Sequence, residues 1–302
     1  MSSPLERARA LLAAGTPRRL RLAERGVEIA LLDFRGAGPL ALAHHANGFC
    51  KGMWAEVAAL LRGRLRLVAM DARGHGDSSR PDAPGAYAWP AFAADLAAVA
   101  GVLAAETGRP LALGLGHSFG GTSLLGAESL APGRFERLLL VDPVTPPPAA
   151  SAPPERAAHV EAMVDAARRR RADWPSRAEA RAWFAERSLF AAFRPEALDL
   201  YVLDGLRERP AGGVELKCPG EVEAAVFSQG DGVDLEAWAR GLSPPALWLW
   251  AERGSFPLPT YEALAASMRS ARVEPVPAGH LIPMERPDLV ADAALRLLAE
   301  SA

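Results

Sequence analysis

A serine with a glycine two residues to either side, Gly116-His117-Ser118-Phe119-Gly120, carries the most explicit chemistry in this 302-residue chain. The pattern fits the G-x-S-x-G nucleophile elbow, in which a strained turn lifts a serine hydroxyl to the edge of a parallel sheet. Glycines at 116 and 120 let a strand and the helix after it cross without a Cβ clash, and the helix N-terminus then aims amides at the reacting centre. A serine hydroxyl is a poor nucleophile near neutral pH. It needs a base within hydrogen-bond reach, a third group to hold that base, and donors for the oxyanion. A dinucleotide reading fails, because G-x-G-x-x-G begun at Gly114 would need glycine where Phe119 stands. No G-x-x-x-x-G-K-[ST] phosphate loop occurs.

The elements that must position this serine are legible on both sides of it. Residues 18–23 and 27–33 read as an antiparallel hairpin, and Gly36-Ala37-Gly38-Pro39 turns the chain into a third strand at 40–45. A helix at about 53–61, a strand at 65–70, a long alanine-rich helix at 90–107 and the elbow strand follow, with Pro90 and Gly108 marking the ends of the long helix. Further strands are expected at 137–141, 246–251 and 273–277, and a closing helix at 287–299. Alternation of this kind predicts an α/β fold with a mostly parallel eight-stranded sheet flanked by helices. Between about 143 and 242 the texture changes: a proline-rich entry from Thr145 to Pro154, several helical stretches, no strand run. This predicts an inserted helical cap over 145–242, the core being 1–144 and 243–302. Ser176 with Glu179 forms a capping box after Trp174-Pro175. Trp174, Trp183, Phe184, Phe190, Phe193 and Tyr201 recur at roughly helical spacing and are read chiefly as cap core, with some facing the site if the cap covers it.

Composition narrows the function. Half of the chain is hydrophobic, enough for a well-buried core, and the formal net charge of −2 offers no basic field for nucleic acid. Of the 34 basic residues only Lys51 and Lys217 are lysines, and the short run Arg168–Arg171 reads as a solvated helix face. Cys50 and Cys218 lie far apart with no Cys/His cluster, so neither a disulfide framework nor a metal site is indicated. Arginines interrupt the apolar residues of the first fifteen positions, which read as a short amphipathic helix rather than a signal peptide. No run of about 18 uncharged apolar residues is present, so no membrane span is expected. The expected partner is a small molecule rather than nucleic acid or a membrane, in a cytoplasmic setting, with no cofactor.

Three loops taken together resemble the α/β-hydrolase family: Asp71-Ala72-Arg73-Gly74-His75-Gly76-Asp77-Ser78-Ser79, the elbow, and the stretch from Gly279-His280 through Pro283, Glu285 and Pro287. The resemblance spans nearly the whole chain outside the cap. It implies that Ser118 is the nucleophile and His280 the base, since this fold delivers a histidine to the top of the sheet after its last strand. It implies structural roles for His75 and His117; His159 lies on a cap helix, and His44 and His45 end the third strand.

The acid has two candidates. Many relatives end the strand before the histidine strand in Gly-Glu-x-Asp, whereas here Trp250-Ala251-Glu252-Arg253-Gly254 has glycine in the aspartate position. Branches that resemble haloalkane dehalogenases place the acid after the strand that follows the elbow helix, which is Asp142 here. Asp142 is the preferred partner of His280 and Glu252 the second. One oxyanion donor is expected to be the Phe119 N–H. The other comes from His45-Ala46-Asn47-Gly48-Phe49, resembling the family's His-Gly-x-Pro loop, in a register that selects Asn47 or in a second that selects Phe49.

A serine alkoxide attacks carbonyl carbon, whereas halide displacement and epoxide opening in this fold use an aspartate nucleophile. The expected reaction is therefore hydrolysis of a carboxylic ester or related acyl compound through an acyl-enzyme. Lactones, thioesters and carbon–carbon bonds beside a ketone fit the same machinery, and a ligand-binding member of the fold is the alternative of another class. The cap aromatics point to a partly apolar substrate. Oligomeric state is not legible.

Overall fold

Strings such as Leu138-Leu139-Leu140-Val141 pack both faces of a sheet at once. Leu138 and Leu140 belong to one buried apolar cluster, Leu139 and Val141 to another on the opposite side. The computed structural model, which describes residues 2–147, 154–230 and 233–300, shows how the chain uses this pattern. Helix α1 (Pro4–Ala13) starts from a capping box between Ser3 and Glu6. Strands β1 (Thr16–Leu22) and β2 (Val27–Asp33) form the expected hairpin, and β3 (Leu40–His44), α2 (Ala55–Leu61), β4 (Arg66–Met70), α3 (Trp89–Thr107), β5 (Leu113–His117), α4 (Phe119–Leu130) and β6 (Leu138–Val141) follow. Helix α3 is long and apolar enough by length and composition to cross a membrane, and it packs here against α4 and β1.

After β6 come α5 (Glu155–Arg169), β7 (Asp173–Trp174), α6 (Arg177–Ala185), α7 (Pro195–Asp204), β8 (Leu206–Glu208), β9 (Val214–Leu216), α8 (Gly220–Ser228) and α9 (Leu235–Ala239). The region expected to be purely helical therefore contains a small antiparallel sheet in the order β7-β9-β8. Ser176 caps α6, accepting from the Glu179 N–H, but the Glu179 carboxylate accepts from the Ser176 hydroxyl, so only the serine half of the expected capping box is formed. Of the proline-rich entry, residues 148–153 lie outside the described residues. Helix α9 packs on α4, so the chain is already against the core flank by residue 235. The remainder is β10 (Ala246–Arg253), α10 (Leu258–Ser267), β11 (Ala271–Gly279), α11 (Ile282–Glu285) and α12 (Pro287–Ala299).

The main sheet has eight strands in the order β1-β2-β4-β3-β5-β6-β10-β11. It is antiparallel at β1-β2-β4 and parallel from β4 onward. The order matters because β5, β6, β10 and β11 are consecutive neighbours, and the loops leaving their C-terminal ends meet at one edge. That is where an open parallel sheet presents a site.

Both lysines of the chain fall in one ion cluster on this side of the molecule. Lys51 Nζ lies 2.8 Å from Asp71, 2.8 Å from Asp77 and 3.3 Å from Asp204 of α7, and Lys217 Nζ lies 2.8 Å from Asp77. Burial pulls the Lys51 pKa down, but the carboxylates around it outweigh that and keep it charged.

Candidate active site

Ser118 sits between β5 and α4 with φ 55° and ψ −124°, a conformation that L-residues rarely adopt. The glycines around it are sterically required. A Cβ at Gly116 would stand 2.5 Å from the Gly120 carbonyl oxygen, and one at Gly120 would stand 2.3 Å from that of His44. A Cβ at Gly121 would be equally confined, 2.8 Å from Pro143 Cβ. Strand, helix and the loop after β3 are thus in backbone contact, and the turn has no slack into which to relax.

His280 follows β11, and its Nε2 lies 2.8 Å from Ser118 Oγ while its Nδ1 lies 2.6 Å from Asp142 Oδ2. In the neutral imidazole this network assigns Nδ1–H to the carboxylate and leaves Nε2 as acceptor for the serine hydroxyl. The register explains the arrangement. His117 pairs with Val141, so Ser118 and Asp142 are the next residues along adjacent parallel strands. Asp142 is itself at positive φ, 40°, and only 1% exposed. Its second oxygen accepts the Ala251 N–H at 2.9 Å and faces the Tyr261 hydroxyl at 3.1 Å. Glu252 is exposed, and His280 directs its ring nitrogens to Asp142 and Ser118, not to Glu252.

Three supporting residues were not singled out for this role in the sequence. Tyr261, on α10, also donates to the Pro143 carbonyl at 2.6 Å, and burial together with the neighbouring Asp142 carboxylate holds it in the phenol form. Glu285 accepts the Gly279 N–H at 2.8 Å and so ties down the residue before His280. His117 Nε2 lies 2.9 Å from the His280 carbonyl oxygen, and burial, then the proximity of His280, pushes its pKa down to about 3. A neutral His117 can donate that bond. Glu285 had a signal, its place in the stretch after His280 that carries the family resemblance; Tyr261, on a helix, had none.

On the oxyanion side, residues 46–49 form a turn in which the Phe49 N–H donates to the Ala46 carbonyl at 3.2 Å and Gly48 adopts φ +80°. The Gly48 N–H donates to His75 Nε2 at 3.1 Å. The N–H groups of Gly48 and Phe49 are therefore engaged. Phe119 is the first residue of α4, so its N–H has no acceptor within the helix. His75 is fully buried, its pKa pushed down to about 4 by burial, and His45 is likewise buried with Nε2 accepting the Ala72 N–H.

The aromatic side chains between β6 and β10 pack on one another. Trp183 contacts Trp174 and Phe184, and the Arg187 guanidinium lies over its ring; Phe190 contacts Phe184, Phe193 and Tyr201. Phe193 and Tyr201 also contact Phe49, so the cluster reaches the turn after β3.

Residues 40–293 match the sequence profile of the alpha/beta hydrolase family. The chain belongs to that family. No curated protein matches it. Among solved structures, this alpha/beta hydrolase is similar to an E-2-(acetamidomethylene)succinate hydrolase, with 21% identity, TM-score 0.78, 95% of this chain and 100% of the other covered. It is similar to a thioesterase domain from the curacin biosynthetic pathway, with 20% identity, TM-score 0.76, and 93% and 99% covered. It also resembles an N-formylmaleamic acid deformylase from Pseudomonas putida, with 20% identity, TM-score 0.69, and 92% and 100% covered. These neighbours share the fold, and their names describe hydrolases.

Proposed function

We propose that the protein is a serine hydrolase acting on a carboxylic ester or related acyl compound through an acyl-enzyme. The observation that carries this is the unbroken chain Asp142–His280–Ser118, with both links at hydrogen-bond length in a buried, strained turn. Ser118 Oγ attacks the carbonyl carbon while its proton passes to His280 Nε2. The imidazolium so formed is stabilised by Asp142. The tetrahedral oxyanion is held by the N–H groups of Phe119 and Asn47. Asn47 is preferred to Phe49 because the Phe49 N–H already closes the turn onto Ala46. Collapse expels the alcohol, which takes the proton from His280. A water then loses its proton to His280 as it attacks the acyl carbon, and the acid is released with Ser118 reprotonated. Residues 145–242 act in this scheme as a cap. The names of the structural neighbours, a thioesterase and a deformylase among them, are consistent with acyl transfer and leave the leaving group open.

The test is a panel of aryl and alkyl esters, thioesters and N-acyl compounds assayed with wild type and Ser118→Ala. Turnover of at least one class that falls by about 10³-fold or more in Ser118→Ala is the expected result. Equal turnover in both proteins would refute it.

A further inference from the structure

The turn that carries Asn47 is gripped from above by residues of the segment 145–242. Tyr201 and Asp204 lie three positions apart on α7, hence on one face. The Tyr201 hydroxyl donates to the Gly48 carbonyl at 3.3 Å, and Asp204 Oδ2 accepts the Gly52 N–H at 2.9 Å. From α8, the Glu223 backbone carbonyl accepts from Asn47 Nδ2 at 3.0 Å. Arg170, just past α5, pairs with the Glu223 carboxylate through Nη1 and donates through Nη2 to the Tyr201 hydroxyl oxygen at 2.8 Å. A phenol has one proton to give. With Arg170 occupying its oxygen as a donor, that proton is directed to Gly48. The approach is close: a Cβ at 48 would lie 2.8 Å from Glu223 Oε1, and φ +80° favours glycine there. The Tyr201 ring is fixed in turn by Phe49, Phe184 and Phe190.

Resting on the proposed function, in which the Asn47 N–H is an oxyanion donor, we infer that Tyr201 and Arg170 are positioning residues that hold the turn 46–49 in register, so that the cap completes the oxyanion hole when seated on the core. Oxyanion donors act only within a few tenths of an ångström of their working distance, and a displacement of about 1 Å can cost about 10²-fold in rate. From the core side, His75 holds the turn at the Gly48 N–H. Tyr201 and Glu223 hold the same residue, through its carbonyl, and the Asn47 side chain beside it from the cap, so movement of α7 and α8 carries Asn47 with it. Cap seating and transition-state stabilisation are one event in this arrangement.

The test uses a fluorophosphonate, whose phosphoryl oxygen enters the oxyanion hole as Ser118 is phosphonylated, with kinact and KI measured separately and adducts mapped by mass spectrometry. Tyr201→Phe keeps the ring packing and removes the hydroxyl, which is both the donor to Gly48 and the acceptor from Arg170; Asn47→Ala keeps the backbone N–H and removes the side-chain tie to Glu223 and the 3.0 Å contact with His75 Nε2. Both are expected to lower kinact by about tenfold, with KI within about twofold, the midpoint of the pH profile unchanged, and Tm close to wild type. Unchanged kinact in both, or a change in KI alone, overturns the inference while leaving Ser118 as nucleophile. No Ser118 adduct in wild type overturns the proposed function first, and this inference with it.

Discussion

The Asp142 carboxylate lies against Gly254: a Cβ built on Gly254 would stand 3.1 Å from Asp142 Oδ2, and 3.0 Å from Ala251. The two positions at which an acid could reach His280, one after β6 and one after β10, converge on a single spot because those strands are paired neighbours. Glycine at 254 leaves the Asp142 carboxylate uncrowded at that spot. Asp142→Asn is expected to lower kcat by about 10³- to 10⁴-fold, since the amide favours the wrong imidazole tautomer. Glu252→Gln is expected to stay within about twofold of wild type. Steady-state kinetics on the best ester decide between them; loss of turnover in Glu252→Gln alone reverses the assignment.

Tyr261 supports that carboxylate from behind. Its hydroxyl stands between Asp142 Oδ1 and the Pro143 carbonyl, so Tyr261→Phe leaves a buried carbonyl without its donor and frees the loop that carries Asp142. Denaturant unfolding should show a loss of about 1–3 kcal/mol. The kcat should fall several-fold with KM unchanged; a variant with wild-type kcat and stability would remove Tyr261 from the site.

The Lys51 ion cluster is a further point of sensitivity. Lys51 and Asp71 are both buried, with side chains 5% and 0% exposed, so Lys51→Met strands a carboxylate with no cation. Removing one partner of such a pair costs about 3–5 kcal/mol. Because Asp204 ties the same cluster to α7, the variant should also become more susceptible to proteolysis between residues 145 and 242. Unchanged urea midpoint and proteolysis would show the cluster to be energetically idle.

Acid sensitivity follows from four buried histidines. Burial lowers His44 and His75 to about 4, His117 to about 3, and His45 well below its ordinary value of 6.5. Below pH 6.5 the unfolded chain binds protons at these sites and the native chain does not. Stability is therefore full above about pH 6.5 and is lost as pH falls toward 4, by up to about 1.4 kcal/mol per histidine per pH unit. Asp71, raised to about 6 by burial against the pull of Lys51, acts in the opposite sense between about 6 and 3.8, and Glu56 and Glu128, whose pKa values burial also raises, act in the same sense as Asp71. Urea unfolding at pH 7.5 and 5.5 should differ by about 4 kcal/mol, lower at 5.5. A flat or rising stability would contradict neutral burial of these rings.

What the sequence disclosed follows what is local. Gly116, Gly120 and Ser118 were legible because a crossing of strand and helix with no room for Cβ restricts residue type within five positions. The eight strands were legible because apolar runs between turn residues persist for four or more positions. Strands β7, β8 and β9, two or three residues each, are too short to show any period, and the small sheet they form was missed. The choice between Asp142 and Glu252 depends on which strand ends stand beside His280, a fact of topology rather than of composition. Tyr261 looks in sequence like any core residue of an amphipathic helix. The grip of Tyr201 and Glu223 on the turn at Asn47 joins positions more than 150 residues apart, and nothing in either stretch announces it.

In the proposed mechanism Ser118, activated by His280, is the nucleophile. Peptide mapping after exposure of the folded protein to a fluorophosphonate tests it most directly. One stoichiometric adduct is expected, on Ser118, absent from Ser118→Ala and strongly slowed in His280→Ala. An unlabelled Ser118 in the folded wild-type protein, or an adduct that persists in Ser118→Ala, would contradict it.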